Sequence, residues 1–255
     1  MKLRPIVHAL LGLLLSFPVL AQTPLAIAAA GDLRGALEEL KGRFEAQHSG
    51  VSLQLTFGAS GSLTAQIQQG APFDLFLSAD MGFPEQLQKA GLVTEDGPFP
   101  YATGRLTLWV RKDLGLDPGK DGLGVLRSPK LRKIATANPQ VAPYGRAGDA
   151  ALRQAGLYDA VKPRLVFADN IAQAAQFLQA GSAEAGLISA SQANHPVLRQ
   201  DGFIWTLPSE AYPPLRQAGV LLKRTAHLEQ ARAFRAFLVG PEGQALLARH
   251  GFGRP

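Results

Sequence analysis

The sequence predicts an α/β fold split into two lobes. Apolar, strand-like runs alternate with segments of helical periodicity along most of the 255 residues. The alternation comes in two sets, one on each side of a strand at 104–111. A late strand at 217–223 follows the second set and is placed to return the chain to the first. Two sets joined by two crossings put a binding site in the cleft, at the loops that follow the strands.

In the first set, Leu25–Ala30 reads as a short apolar strand, and Leu33, Ala36, Leu37, Leu40 and Phe44 follow at helical spacing. Val51–Phe57 alternates as a strand and runs into a helix from Gly61 to Gln69 that stops at Gly70. Phe73–Ser78 is the next strand, and Glu85–Ala90 a helix ended by Gly91. This βαβαβ order argues for a parallel sheet.

In the second set, Arg105–Val110 is a strand, followed by a Gly/Pro-rich connection from Gly115 to Gly124. Ile134–Ala137, Leu165–Phe167 and Ala185–Ser189 read as strands; Ala147–Ala155 and Ile171–Gln179 read as helices. Gly219–Lys223 is the returning strand. Helices at Leu228–Leu238 and Glu242–Arg249 close the chain, the second opened by Gly240-Pro241.

One turn carries chemistry. Phe57-Gly-Ala-Ser-Gly-Ser-Leu63 joins a strand to a helix start through small and hydroxyl residues. The first N–H groups of a helix lack partners, and the helix dipole there favours negative charge, so the turn outlines an anion site. Ser60 adds a hydroxyl donor. The alternative reading makes Ser60 an N-cap and nothing more.

The ends and composition narrow the class. Lys2 and Arg4, the apolar run Ile6–Leu15 and the small residue ending Pro18-Val-Leu-Ala21 predict a signal peptide over 1–21, cleaved after Ala21. The apolar run is short for a transmembrane helix. There are no cysteines, which excludes disulfides, thiolate catalysis, iron–sulfur clusters and a lipid-modified N-terminal cysteine. A lipid-free exported chain suits a periplasm. The formal charge is +6, with basic residues scattered and no aromatic–basic module, so nucleic acid is not an expected partner. The charge reads as solvated surface with a mild bias toward anions.

Six segments in order then carry a resemblance: Ala28-Ala-Ala-Gly-Asp-Leu-Arg34, Phe57–Leu63, Gly70-Ala-Pro-Phe-Asp-Leu-Phe-Leu-Ser-Ala-Asp80, Asn138-Pro-Gln-Val-Ala-Pro-Tyr-Gly145, Asp169-Asn-Ile171 and Gly186-Leu-Ile-Ser189. Over nearly the whole mature chain this resembles the periplasmic molybdate-binding proteins of ABC importers, within the type II periplasmic binding protein fold. The resemblance implies two lobes, 22–103 plus 217–255 and 104–216, with the ligand between them. It implies a monomer that binds molybdate, and tungstate with it, and delivers it to a membrane permease and its ATPase. It implies no enzyme activity, no cofactor and no direct protein ligand to a metal.

The same resemblance implies an oxyanion held by hydroxyls and backbone N–H groups from both lobes. Ser60 and Tyr144 stand where hydroxyl donors are found, and Ile171 where a helix-start N–H contacts the anion. The first loop departs from the family pattern, having Gly31-Asp32 where Ser or Thr-Asn is frequent. A carboxylate facing a dianion repels it, so Asp32 is expected to cap a helix and turn away, with the N–H groups of Gly31 and Asp32 donating. Ser189 stands where another branch has a ligand Tyr; it is shorter, and is a further candidate ligand contact. The chemistry agrees: a tetrahedral dianion is acceptor-only and suits convergent neutral donors in a dry cleft. Phosphate carries a proton near neutral pH, and a donor-only site disfavours it.

Other classes fit less well. Another small oxyanion such as sulfate or phosphate is the nearest alternative. For an exported hydrolase, Gly58-Ala-Ser-Gly-Ser62 departs from Gly-x-Ser-x-Gly, and His48, His195, His227 and His250 lack metal-ligand spacing. For a ferric-ion binder, Tyr101, Tyr144, Tyr158 and Tyr212 are scattered. Asp74 and Asp80 read as loop and capping residues, and Arg146 as a solvated arginine near the cleft edge.

Overall fold

The computed structural model describes residues 22–255; the predicted signal peptide lies outside the described residues. The first set forms β1 (Thr23–Ala30), α1 (Arg34–Gln47), β2 (Val51–Gly58), α2 (Ser60–Gln68), β3 (Leu75–Ser78), α3 (Gly82–Lys89) and β4 (Phe99–Gly104). Then come β5 (Leu106–Arg111), α4 (Pro118–Asp121), β6 (Ile134–Ala137), α5 (Pro143–Gln154), α6 (Tyr158–Val161) and β7 (Leu165–Ala168). They are followed by α7 (Ile171–Gln179), β8 (Ala185–Ser189), α8 (Ala190–Ala193), α9 (Pro196–Asp201) and β9 (Gly202–Thr206). The chain ends with β10 (Leu215–Leu221), α10 (Leu228–Val239) and α11 (Pro241–Arg249).

The strands form two five-stranded sheets, ordered β2-β1-β3-β10-β4 and β7-β6-β8-β5-β9. The parallel expectation holds for the βαβαβ strands β1, β2 and β3, but each sheet as a whole is mixed. β1 pairs in parallel with β2 and β3, and β6 with β7 and β8; β10 runs antiparallel to β3 and β4, and β5 to β8 and β9. The reason is connectivity. The chain leaves the first sheet at the end of β4 and enters the second at β5 with only Arg105 between them. It returns from β9 to β10. A strand arriving from the other lobe starts at the cleft end, where its neighbours finish, so it runs against them.

Packing follows the two-residue period of the strands. Ile27, Leu75, Leu77 and Leu221 face α1, α10 and α11, where Leu37, Leu40, Phe44, Phe234 and Leu246 are buried. The alternate residues Ala28, Phe76 and Val220 face Leu63 and Ile67 of α2 and Leu87 of α3. The second lobe buries Leu108, Trp109, Ile134, Ala151, Leu178 and Leu187 around its own sheet. Gly70 and Gly91 end α2 and α3 with φ of 93° and 71°, which L side chains rarely adopt.

Two strands escaped the sequence reading, β4 and β9. Both are edge strands. Pro100 is tolerated in β4 because an edge leaves one side of the ladder unpaired, and β9 leaves Phe203 and Ile204 exposed, which blurs its pattern. The Gly115–Gly124 connection also contains α4, capped by Asp117, whose Oδ1 accepts from Gly119 N at 2.8 Å. Helix α5 begins at Pro143, earlier than Ala147, and so brings Tyr144 into its first turn. Among the described residues no helix is long and apolar enough to cross a membrane.

Candidate functional site

The turns after β1, β2 and β3 meet those after β6 and β7 in one cleft with about 190 Å³ of space counted out to its mouth. Gly31, Asp32, Ser60, Tyr144 and Ile171 all line it, with Ala59, Ala79 and Pro143 among the apolar remainder. No Lys, Arg or His is in that lining.

Each donor is placed by its local sequence. The register sets Ala30 of β1 beside Gly58 of β2, so the two following turns lie level with each other. Ser60 is the first residue of α2 and is fully buried; the N-cap is Ala59, which corrects the capping alternative for Ser60. Its Oγ accepts from Ala79 N at 3.0 Å. The hydroxyl proton is therefore left to donate elsewhere. Asn170 caps α7, its Oδ1 accepting from Ala172 N and Gln173 N at 3.0 and 3.1 Å. Ile171 N–H, at the first position of that helix, has no acceptor within the helix.

Asp32 departs from expectation. It caps no helix: α1 follows a single 3-10 turn, Gly31–Leu33, and neither has a side-chain cap. Its carboxyl is fully buried and accepts at Oδ2 from Gln217 Nε2 of β10 at 2.5 Å. The same Gln217 nitrogen donates to the Tyr144 hydroxyl at 3.3 Å. Among the described residues, Asp32 Oδ1 and Gln217 Oε1 are buried without a partner. Burial pushes the Asp32 carboxyl up to about 6, against the hydrogen bond from Gln217 that acts downward. Burial, and then the Asp32 charge, hold the Tyr144 hydroxyl well above its ordinary range, so it is a neutral donor.

The lobes are closed on each other by polar contacts. Gly61 N, in the first turn of α2, donates to Val141 O of the second lobe at 2.9 Å. A Cβ on Gly61 would stand 2.9 Å from that oxygen, so only glycine permits this approach. Gln192 Nε2 donates to Gly31 O and Ser191 Oγ to Asp32 O, at 2.9 and 2.8 Å. Arg146 pairs with Asp80 across the cleft edge and lies over the Phe83 ring, so it is a lobe-to-lobe contact and not only a solvated arginine.

Ser189 stands apart from the cleft lining. It is buried as the N-cap of α8, accepting from Gln192 N at 3.2 Å, and reaches the first loop only through Ser191. Tyr101 and Tyr212 lie near Tyr144 but outside the cleft lining; the Tyr101 hydroxyl donates to Ser78 O and the Tyr212 hydroxyl accepts from Leu106 N. Among the described residues no group of His, Asp and Glu forms a metal site. Asp74 ties Ala26 N and Thr225 Oγ1 together, and Asp80 accepts from Phe83 N as well as pairing with Arg146. The residue that the sequence reading missed is Gln217. Its signal was a polar side chain at a core-facing position of an apolar strand, Leu215-Arg-Gln-Ala-Gly-Val-Leu221.

Two α/β lobes closed over a buried, cation-free cleft at the strand ends define a solute-binding protein. The chain belongs to the bacterial extracellular solute-binding protein family, whose profile matches residues 25–253. It is 35% identical over 227 residues to the molybdate-binding protein ModA of Azotobacter vinelandii, covering 89% of this chain and 88% of that one. It is 34% identical over 239 residues to ModA of Rhodobacter capsulatus, covering 93% and 91%. The solved structure of the Azotobacter vinelandii periplasmic molybdate-binding protein superposes with a TM-score of 0.83 over 91% of this chain and 99% of that one.

Proposed function

We propose that this chain binds molybdate, and tungstate with it, in the periplasm and delivers it to the permease and ATPase of an ABC importer. One observation carries the reading: hydroxyl and helix-start donors of both lobes line one buried cleft that no cationic side chain enters. An acceptor-only dianion matches such donors, and burial strengthens each bond. The relatives named for molybdate support the choice within the oxyanions. In this reading Ser60 and Tyr144 donate hydroxyls, and Gly31, Asp32 and Ile171 donate main-chain N–H groups. Ser189 has no direct part. The protein acts as a monomer without a cofactor or catalytic step, exported by a signal peptide cleaved after Ala21. Its lobes are taken as 22–103 plus 217–255 and 104–216, within a residue or two of the passages between the sheets at Arg105 and between Thr206 and Leu215.

Closure is the working step. The anion touches both lobes only when they are shut, so binding shifts the population toward the closed form. A specific observation favours a second reading. The unpartnered Asp32 Oδ1 is an acceptor while ionised, and would suit an oxyanion that carries a proton, such as hydrogen phosphate.

Titration calorimetry with molybdate, tungstate, sulfate, phosphate and ferric ion separates these. Tight binding of molybdate and tungstate with weak sulfate and phosphate is the expected result. Preference for phosphate moves the assignment to the second reading, and binding of ferric ion alone overturns both.

A further inference from the structure

Asp32, Gln217 and Tyr144 form a buried cluster at the cleft whose hydrogen bonding is incomplete. Gln217 holds Asp32 Oδ2, while Oδ1 has no partner although Asp32 is fully buried. Every other polar side chain lining the cleft is a hydroxyl able to donate. A dianion bound there meets an ionised carboxylate within the same enclosed space, where like charges repel strongly.

Among the described residues, the surroundings offer that carboxylate no cation. Facing it are Gln217 from β10, Tyr144 from α5 and Tyr101 from β4, and Ser191 from α8 bonds its main-chain oxygen. Arg34, on its own segment, is exposed and lies over the Phe57 ring. Asp80, the other carboxylate acting on Tyr101, is paired with Arg146.

We propose, on the molybdate reading above, that Asp32 takes up one proton from solvent as the oxyanion binds. As a neutral acid it presents Oδ1–H as a further donor, making the site selective for fully deprotonated oxyanions. The balance is one O–H bond formed on Asp32 for each dianion bound, the proton coming from the buffer. Burial already holds the carboxyl at about 6, and a dianion beside it raises it further. Gln217 positions the acid by fixing Oδ2. The proton also removes the acceptor that would otherwise favour hydrogen phosphate.

The test is calorimetry of molybdate binding to the wild-type protein and Asp32→Asn, in buffers of different ionisation enthalpy between pH 7 and 8.5. Molybdate itself stays deprotonated over that range. The wild type should take up close to one proton per anion, and its affinity should fall toward about tenfold per pH unit. Asp32→Asn keeps a donor at the same place without titrating. It should show no proton uptake and a flat profile. Binding without proton uptake by the wild type, or the same uptake by both proteins, overturns this inference alone. No heat with molybdate at any pH overturns the molybdate reading and this inference with it.

Discussion

Replacing Ser60 by alanine separates two jobs that one hydroxyl performs. Its oxygen accepts from Ala79 N at 3.0 Å, and its proton is free for a ligand in the cleft. The residue is fully buried, so neither job passes to water when the hydroxyl is removed. Losing a hydrogen bond to a charged ligand costs about 1.5–3 kcal/mol, or roughly tenfold to a hundredfold in affinity. Orphaning the Ala79 N–H costs folding stability by about 1–3 kcal/mol as well. Ser60→Ala should therefore lose both, whereas Ser62→Ala, two residues on and outside the cleft lining, should lose neither. Molybdate calorimetry reads the first quantity, and urea denaturation of the ligand-free protein reads the second. If Ser60→Ala binds within about twofold of wild type while its stability drops, Ser60 is a structural acceptor only, and the donor assignment is refuted.

Three further outcomes follow from the same geometry. The Asp32 carboxyl sits at about 6 in the fold against an ordinary 3.8, so its contribution is fully present below 3.8 and is lost as pH rises through 6. That loss is on the order of 3 kcal/mol, so Asp32→Asn should be more stable than wild type at pH 8 and nearly equal to it at pH 4; denaturation at both pH values checks this, and an equal effect at both refutes it. Tyr144→Phe should weaken molybdate binding by roughly tenfold or more and reduce closure at saturation, read as a smaller fall in radius of gyration by small-angle scattering; wild-type behaviour in both would remove Tyr144 from the site. Gly61→Ala places a Cβ 2.9 Å from Val141 O, so it should hold the lobes apart and lower affinity while leaving each lobe folded; unchanged affinity would mean the lobes need not approach that closely.

Local chemistry made part of the site readable. Ser60 sits where a strand gives way to a helix start, and that turn announces itself by small residues and hydroxyls, whereas Gly31, Tyr144 and Ile171 were legible only through the family resemblance. β1, β3 and the end of β10 were readable as short apolar runs, since a stretch of consecutive buried residues is also a local signal. Asp32 was misread because its partner is distant: Gln217 lies 185 residues along the chain. Without that contact, an Asp before a helix is most simply a cap, and burial had no visible cause. Arg146 and Asp80 are 66 residues apart, and nothing near either one marks the other as its partner. The antiparallel strands were hidden in the same way, because strand direction depends on which lobe the chain comes from and not on its local pattern.

The placement of β10 also sets the order in which the molecule can be built. This strand is the last in the chain, yet it lies between β3 and β4, made more than a hundred residues earlier. During synthesis the second sheet has all its strands once Thr206 has emerged. The first sheet is by then still in two pieces, with β3 and β4 each offering an unpaired edge. A fragment that stops before Leu215 should therefore contain one finished lobe and one that cannot close its sheet. Joining a strand so distant in sequence is slow, because the connecting chain must first be ordered. The lobe begun first is thus completed last, and its open edges are the segment of the folding route most exposed to pairing with another chain.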